Sequence, residues 1–116
     1  MFDPLFHITT HDELQQAQMS GASPLTYRPK GFATEGFIHC SHRHQVVATA
    51  NRIFKGQTNL VLLEIARSRL TCPVIEENLE GGTELFPHIY GPLPLEVIVQ
   101  VYDFPCGEDG LFEWPI

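Results

Sequence analysis

The chain has 116 residues, of which 43% are hydrophobic and 18% are charged, a balance typical of one globular domain and not of a disordered chain. Seven Lys and Arg against fourteen Asp and Glu give a formal net charge of −7, which argues against DNA, a large RNA or an anionic membrane as a partner. All seven basic residues lie before residue 71, so an anionic ligand would be bound mainly by that part of the chain.

The cysteine count and the lack of long apolar runs indicate the compartment. Three cysteines do not form the disulfide framework of a small secreted protein. No apolar run approaches the roughly 20 residues that a membrane-spanning helix needs, and the first residues lack the basic and apolar segments of a signal peptide. We therefore expect a cytoplasmic protein with no membrane partner, folded as a single domain over residues 1–116.

The first strand and the first helix are predicted to follow each other directly. Residues 5–9 are typical of a strand, and residues 11–19 are typical of a helix that ends before Gly21. Thr10 precedes this helix, and Glu13 follows Thr10 by three residues. This is the spacing of a capping box, in which the two side chains bond the free backbone groups at the helix start.

A loop separates this unit from the second strand and the second helix. We expect an ordered loop over residues 22–36 with one helical turn at 32–35, followed by a short buried strand at 36–40. Ser41 is a good N-cap for the second helix, and Gly56 ends that helix. Apolar residues at i, i+4, i+7 and i+8 mark its buried face: Val46, Ala50, Ile53 and Phe54.

The second half of the chain is rich in predicted strands. They cover residues 60–65, 73–77, 89–90, 95–104 and 111–114. We expect a loop over residues 78–87 and a hairpin turn at residues 107–110. Two main helices early in the chain and strands late favour an α+β fold with a mixed or antiparallel sheet. The sequence has no G-x-G-x-x-G and no G-x-x-x-x-G-K motif, so the usual nucleotide-binding loops are absent.

Six histidines are many for this length, and three of them point to a site. His7, His39 and His88 lie in or beside predicted strands, in apolar surroundings where an imidazole is costly unless it is hydrogen-bonded. We expect their side chains to converge on one cleft. The other three lie at or beside helix starts and are expected to be solvated: His11, His42 and His44.

The segment around residues 36–40 offers a binding surface of its own. Alternation places Phe37, His39 and Ser41 on one face of the strand and the two residues between them on the other. The helix that follows begins with unpaired N–H groups, which can bind an anion, and Arg43 adds a positive charge there. A phosphate, a carboxylate or a developing oxyanion fits this combination.

Two other chemistries stay open. Cys40 near a helix N-terminus has the placement of a nucleophile with a lowered pKa, although alternation points it away from His39. A metal ion could recruit the histidines at 39–44 or His88. The sequence has no C-x-x-C and no H-E-x-x-H motif, however, and the cluster at 39–44 is too compact for one tetrahedral shell. We therefore assign no metal ligand.

Several segments resemble the DUF952 family of small bacterial proteins, over nearly the whole chain. They are Leu5–Thr10, Glu35–Ser41 with Gln45 and Ala50–Asn51, Leu62–Leu63, and Phe86–Leu93. The GFIHCS and FPHIYGPL blocks are the most specific part of the resemblance. The family has no established function, and its fold is similar to that of the ADP-ribosyltransferase superfamily. The resemblance therefore implies an ADP-ribosyltransferase-like fold for this chain.

The resemblance also implies where a substrate would bind. In that superfamily, residues of three strands surround the nicotinamide end of NAD. His7 with Thr9 resembles the first-strand motif, the segment with His39 resembles the second, and the third position falls near His88. The third position is often a Glu in the superfamily, whereas Glu84 in the preceding loop is the nearest carboxylate here.

Two functions follow as hypotheses. The first is an enzyme of transferase type, using ADP-ribosyl or phosphate-ester chemistry on NAD or another nucleotide, with NAD as substrate and no resident cofactor assigned. His7, His39 and His88 would be its catalytic residues. The predicted substrate-binding residues are Thr9, Phe37, Ser41, Arg43, Gln45 and Tyr90. The second hypothesis is a non-catalytic module that binds a small nucleotide or another anionic ligand.

Overall fold

The computed structural model describes residues 4–21, 25–78 and 82–116. Within these residues the chain forms eight strands and three α-helices. The strands are β1 (Leu5–Thr10), β2 (Thr26–Tyr27), β3 (Ile38–His39), β4 (Leu60–Ile65), β5 (Val74–Glu77), β6 (Phe86–Ile89), β7 (Leu93–Pro94) and β8 (Ile98–Asp103). The helices are α1 (His11–Gln18), α2 (Phe32–Glu35) and α3 (Val46–Ile53).

The described strands form two three-stranded sheets and a two-stranded ribbon, and all their pairings are antiparallel. The first sheet has the order β1-β4-β8, the second has the order β3-β6-β5, and β2 pairs with β7. A backbone bridge joins the two larger sheets. The Phe6 N–H donates to the Ser41 carbonyl at 2.9 Å, and the Ser41 N–H donates to the Phe6 carbonyl at 2.8 Å. The predicted α+β class with antiparallel pairing is confirmed.

The first sheet is covered by a helix on each face. Leu14 of α1 packs against Val61 and Leu63 on one face. Val46 and Ala50 of α3 pack against the other face, where the alternate residues of β4 lie. Because both faces are buried, β4 is an almost continuous apolar run, as the sequence shows. The other large core cluster lies between the sheets and holds residues from both of them.

Several local predictions are confirmed because they depend on neighbouring residues. The Thr10 hydroxyl accepts a hydrogen bond from the Glu13 N–H at 3.1 Å and caps α1. The helical turn predicted at 32–35 is α2, and the strands predicted at 60–65 and 73–77 are β4 and β5.

Among the residues that the structure describes, none of the helices has the length and hydrophobicity needed to span a membrane.

The predicted start of the second helix is wrong. Ser41 does not cap it, since the Ser41 backbone is paired with Phe6. The chain instead enters α3 through a 3-10 turn at Arg43–Gln45, which His42 precedes as the N-cap. Ile53, expected on the buried face of this helix, is 47% exposed.

Two predictions near the C-terminus are also wrong. The strand expected over 95–104 begins only at Ile98, because residues 95–97 form a 3-10 turn. The return strand expected at 111–114 is not formed. The Asn51 side chain instead accepts from the Phe112 N–H at 2.7 Å and donates to its carbonyl at 3.5 Å, which occupies the backbone groups a strand would use. The loop predicted over 78–87 lies partly outside the described residues, and its end belongs to β6.

Gly91 lies against Cys72 with no room for a side chain. A Cβ at position 91 would lie 2.8 Å from the Cys72 Cβ and 3.1 Å from its Sγ. We expect Gly91→Ala to lower the free energy of unfolding by about 1–3 kcal/mol, measured by urea unfolding. Gly82→Ala is the matched control, because a Cβ there meets nothing within 4 Å. A Gly91→Ala variant as stable as this control would contradict the packing.

Candidate functional site

A cavity of about 460 Å³ lies where the two larger sheets meet α2 and α3. Its lining residues are His7, Ile8, Glu35, Phe37, His39, Ser41, Thr49, Ile53, Phe54 and His88. The structure thus brings the three strand histidines to one cavity, as expected from the sequence. The volume is in the range of small-molecule sites.

A larger cleft of about 750 Å³ runs along the C-terminal segment 103–115. None of the histidines lines it, and its charged residues are all acidic: Asp103, Asp109 and Glu113. We take the smaller cavity as the candidate site because it brings together three imidazoles, whose ring nitrogens can donate or accept a proton.

The alternation predicted around β3 is confirmed. Phe37, His39 and Ser41 all line the cavity. Ile38 and Cys40, which point the other way, are buried in the core between the sheets. A short strand therefore separates a cavity-facing surface from the core, and its two faces differ in chemistry accordingly.

The side chains expected to bind an anion at the helix start near Ser41 instead contact other residues of the protein. The Arg43 guanidinium lies 5.2 Å from the Phe6 ring and 5.1 Å from the Trp114 ring, and it does not line the cavity. The Gln45 Oε1 accepts from the His42 N–H at 2.9 Å. Neither Arg43 nor Gln45 is placed to touch a ligand in the cavity.

Both ring nitrogens of His7 are hydrogen-bonded within the protein. Nδ1 donates to the His39 carbonyl at 2.7 Å, and Nε2 lies 2.8 Å from the Tyr27 hydroxyl. Since a carbonyl only accepts, the neutral ring carries its proton on Nδ1, and Nε2 accepts from Tyr27. Burial lowers the pKa of His7 to about 4, although its bond to the His39 carbonyl acts in the opposite direction. His7 is therefore a neutral part of the wall with both nitrogens occupied.

The Tyr27 hydroxyl connects His7 to the start of α1. It lies 2.8 Å from the Thr9 Oγ1 and 3.3 Å from the Glu13 Oε2. Because its one proton goes to His7, the hydroxyl accepts from Thr9. Burial raises the pKa of Tyr27, so it stays protonated. Thr9, predicted to bind substrate, is instead part of this buried network and does not line the cavity.

A chain of three titratable side chains ends at the cavity. His39 Nδ1 lies 3.2 Å from His88 Nε2, and His88 Nδ1 lies 2.9 Å from Glu77 Oε1. Because a carboxylate only accepts, His88 Nδ1 carries a proton, and one further proton lies between the two imidazoles. That proton can belong to His39 or to His88 with the rings where they are, which is the arrangement of a proton relay.

The strand register explains why these residues meet. His39 of β3 is directly opposite His88 of β6. Glu77 of β5 is opposite Phe86, which lies two residues from His88 on the same face of the sheet. Three strands therefore present Glu77, His39 and His88 on one face, the face opposite to Ile89 and the core.

Two aromatic residues hold the relay in place. The Phe37 ring stacks on the His88 ring with 4.3 Å between centroids and 14° between planes. The Tyr90 hydroxyl donates to Glu77 Oε1. The hydrogen bonds from Tyr90 and His88 lower the pKa of Glu77, and the bond to Glu77 raises the pKa of Tyr90. Glu77 is therefore an ionised carboxylate at neutral pH. Tyr90, predicted to touch substrate, lies behind the cavity wall instead.

Comparison with family models and with solved structures shows which proteins this chain is similar to. A model of the family DUF952, described as a protein of unknown function, matches residues 8–101. The chain belongs to the DUF952 family. No curated protein matches it.

Solved structures of the Caulobacter crescentus protein CC0527 are similar to this DUF952 protein. A crystal structure of CC0527 has 30% sequence identity to this chain and a TM-score of 0.81. A crystal structure of a double mutant of CC0527 has 29% sequence identity and a TM-score of 0.80. Both comparisons cover 95% of this chain and 93% of that chain. A solution NMR structure of CC0527 has 30% identity and a TM-score of 0.76, covering 93% and 90% of the two chains.

Sequence reasoning missed three side chains of this DUF952 site. Glu77 becomes visible only through the register of β5, which no local pattern gives. Tyr27 lies in a region read as loop. Glu35, whose side chain lines the cavity, lies two residues before Phe37, and this spacing was an available signal. Glu84, the carboxylate expected near the third position, accepts from Gln45 at 3.0 Å instead.

The thiol and metal alternatives find no support in the geometry. Cys40 is 1% exposed and packs in the core, where burial raises the pKa of its thiol and disfavours the reactive thiolate. Among residues 4–21, 25–78 and 82–116, no group of three or more His, Cys, Asp or Glu is arranged to hold a metal ion.

The buried neutral His7 makes stability depend on pH. Below pH 6.5 the unfolded chain takes up a proton at His7, whereas the folded chain does so only near pH 4. Stability is therefore lost as the pH falls through this window, by up to about 3 kcal/mol. Urea unfolding at several pH values should show a shallower loss in His7→Gln than in the wild type. His44→Gln, at an exposed position, is the control and should keep the wild-type slope.

Proposed function

We propose that this DUF952 protein is an enzyme acting on a small nucleotide, with His39 as the acid–base group at the cavity. The observation that carries the proposal is the hydrogen-bonded chain from Glu77 through His88 to His39, because its last member lines a ligand-sized cavity. An imidazole accepts a proton at one ring nitrogen and donates one from the other, which suits it to transfer protons in both directions during one reaction.

The proton path follows from the bonding. His39 takes a proton from the hydroxyl or water that attacks the substrate, and the proton on its Nδ1 passes to His88 Nε2. His88 is then an imidazolium, stabilised by the Glu77 carboxylate at its Nδ1. The reverse transfer protonates the leaving group. His39 and His88 line the cavity and are the proposed catalytic residues, whereas Glu77 and Tyr90 position them.

The substrate class comes from the family resemblance. An ADP-ribosyltransferase-like fold implies NAD or an ADP-ribose derivative as substrate, and ADP-ribosyl or phosphate-ester transfer as the reaction. None of the ten lining residues is Lys or Arg, so the heterocyclic end of a nucleotide is the part that suits this cavity, with its phosphates outside. The net charge of −7 supports a small-molecule ligand over DNA, a large RNA or an anionic membrane.

Binding can be tested by thermal shift with NAD, ADP-ribose and AMP. A ligand at about 100 times its dissociation constant stabilises the fold by about 2.7 kcal/mol, which raises Tm by several degrees. We expect one of these nucleotides to do so, and His39→Ala and His88→Ala to abolish the shift. His44→Ala, which removes an exposed histidine, should keep it. No shift with any of them would contradict a nucleotide substrate.

The relay itself can be tested at neighbouring carboxylates of β5. Glu77→Gln removes the charge behind His88, and we expect turnover of the bound nucleotide to fall about 10- to 100-fold with the thermal shift kept. Glu76→Gln is the matched control, since Glu76 bonds His42 and Arg67 outside the cavity. Binding by the wild type without any turnover would favour the non-catalytic binding module instead.

A further inference from the structure

Two hydroxyl groups of the cavity wall lack a hydrogen-bond partner in the protein. Ser41 and Thr49 line the cavity, and each residue is only 3% exposed. The Ser41 backbone is paired with Phe6, but neither the Ser41 Oγ nor the Thr49 Oγ1 is hydrogen-bonded to any residue that the structure describes. Because a desolvated hydroxyl is costly unless it is hydrogen-bonded, a molecule inside the cavity is the partner that these two groups need.

Ser41 lies beside the proposed acid–base group. His39 and Ser41 face the cavity from one extended segment, two residues apart, which separates their Cα atoms by about 6–7 Å. This separation suits one bridging molecule, with a hydrogen bond of about 2.8 Å on each side, better than a direct bond. Thr49 reaches the same cavity from α3. A small molecule bound to Ser41 is therefore within reach of the imidazole.

The rest of the wall favours water as this molecule. None of the lining residues is Lys or Arg, and His7 is held neutral by burial, so the wall has no permanent positive charge for an anion. A water takes up about 30 Å³ in the liquid, a small part of the cavity volume of about 460 Å³, so a substrate has space beside it. A buried water makes roughly two to four hydrogen bonds, a number that two hydroxyls and one imidazole supply.

We propose that Ser41 and Thr49 hold the water that attacks the substrate, so that the reaction in this cavity is a hydrolysis. The inference rests on the proposed function and names the acceptor, which that function leaves open. The water oxygen forms a bond to the electrophilic carbon or phosphorus of the nucleotide, and the bond to the leaving group breaks. The leaving group keeps the electron pair of that bond. His39 accepts a proton from the water, and a proton from the relay goes to the leaving group, so the net reaction adds one water molecule.

Methanol as a competing acceptor tests the proposal. The full chain is incubated with NAD, ADP-ribose or AMP in buffer that contains methanol, and the hydrolysed and methylated products are separated by chromatography. Relative to the amounts of the two acceptors, the wild type should favour water about tenfold, because two hydroxyls hold the water in place. Ser41→Ala and Thr49→Val should lower kcat for hydrolysis about 10- to 100-fold with KM within about twofold, and should remove the preference for water.

Two exposed hydroxyl residues supply the matched controls. Ser68→Ala and Thr58→Val make the same changes away from the cavity wall and should keep both kcat and the preference for water. A crystal structure of the full chain gives a readout that needs no turnover. It should hold a water within about 3.2 Å of the Ser41 Oγ and the Thr49 Oγ1, and the structure of Thr49→Val should lack this water.

Several outcomes would overturn the inference alone. They are wild-type kinetics in both cavity variants, methylated product in proportion to methanol, transfer of part of the nucleotide onto the chain itself, or a crystal structure without the water. Failure of the proposed function has a different signature, in which the water lies at the two hydroxyls and none of the three nucleotides is turned over. The water is then structural, and the inference fails together with the proposed function.

Discussion

The backbone bridge between Phe6 and Ser41 is the contact on which the rest of the structure depends. It joins the two larger sheets, and the residues beside it form the wall of the cavity. His7 follows Phe6 directly, and its Nδ1 bonds the carbonyl of His39, so a side chain ties the same two strands together a second time. Burial keeps this imidazole neutral in the folded chain, so the fold loses stability in acid, where the unfolded chain gains a proton at His7.

What could be predicted from the sequence depends on residues close together in the chain. The cap of α1 by Thr10 involves a partner three residues away, and the buried run of β4 is continuous. The alternation of Phe37, His39 and Ser41 follows from the geometry of any extended segment. These short-range rules also placed the three histidines in or beside strands. Their meeting at one cavity followed from the hypothesis that they share one site, because an imidazole in an apolar segment is costly unless it is hydrogen-bonded.

What could not be predicted depends on partners far away in the sequence. Ser41 has the chemistry of an N-cap, but pairing with Phe6, 35 positions earlier, takes its backbone. Segment 111–114 has the pattern of a strand, but the Asn51 side chain accepts the hydrogen bond of the Phe112 N–H that a neighbouring strand would need. Glu77 looks like any surface carboxylate until the register of β5 places it behind His88. In each case a tertiary contact overrides a local preference, and no pattern within one element records that contact.

The pairing of β3 with β6 is only two residue pairs long, Ile38 with Ile89 and His39 with His88. In so short a ladder, a slip of β3 by one residue would turn the His39 imidazole to the opposite face and put an aliphatic side chain in its place. The packing of Ile38 and Ile89 in the core is what makes such a slip costly. The positions of the two imidazoles thus depend on apolar side chains on the opposite face of the sheet, so conservative changes in the core can displace them while every polar residue is kept.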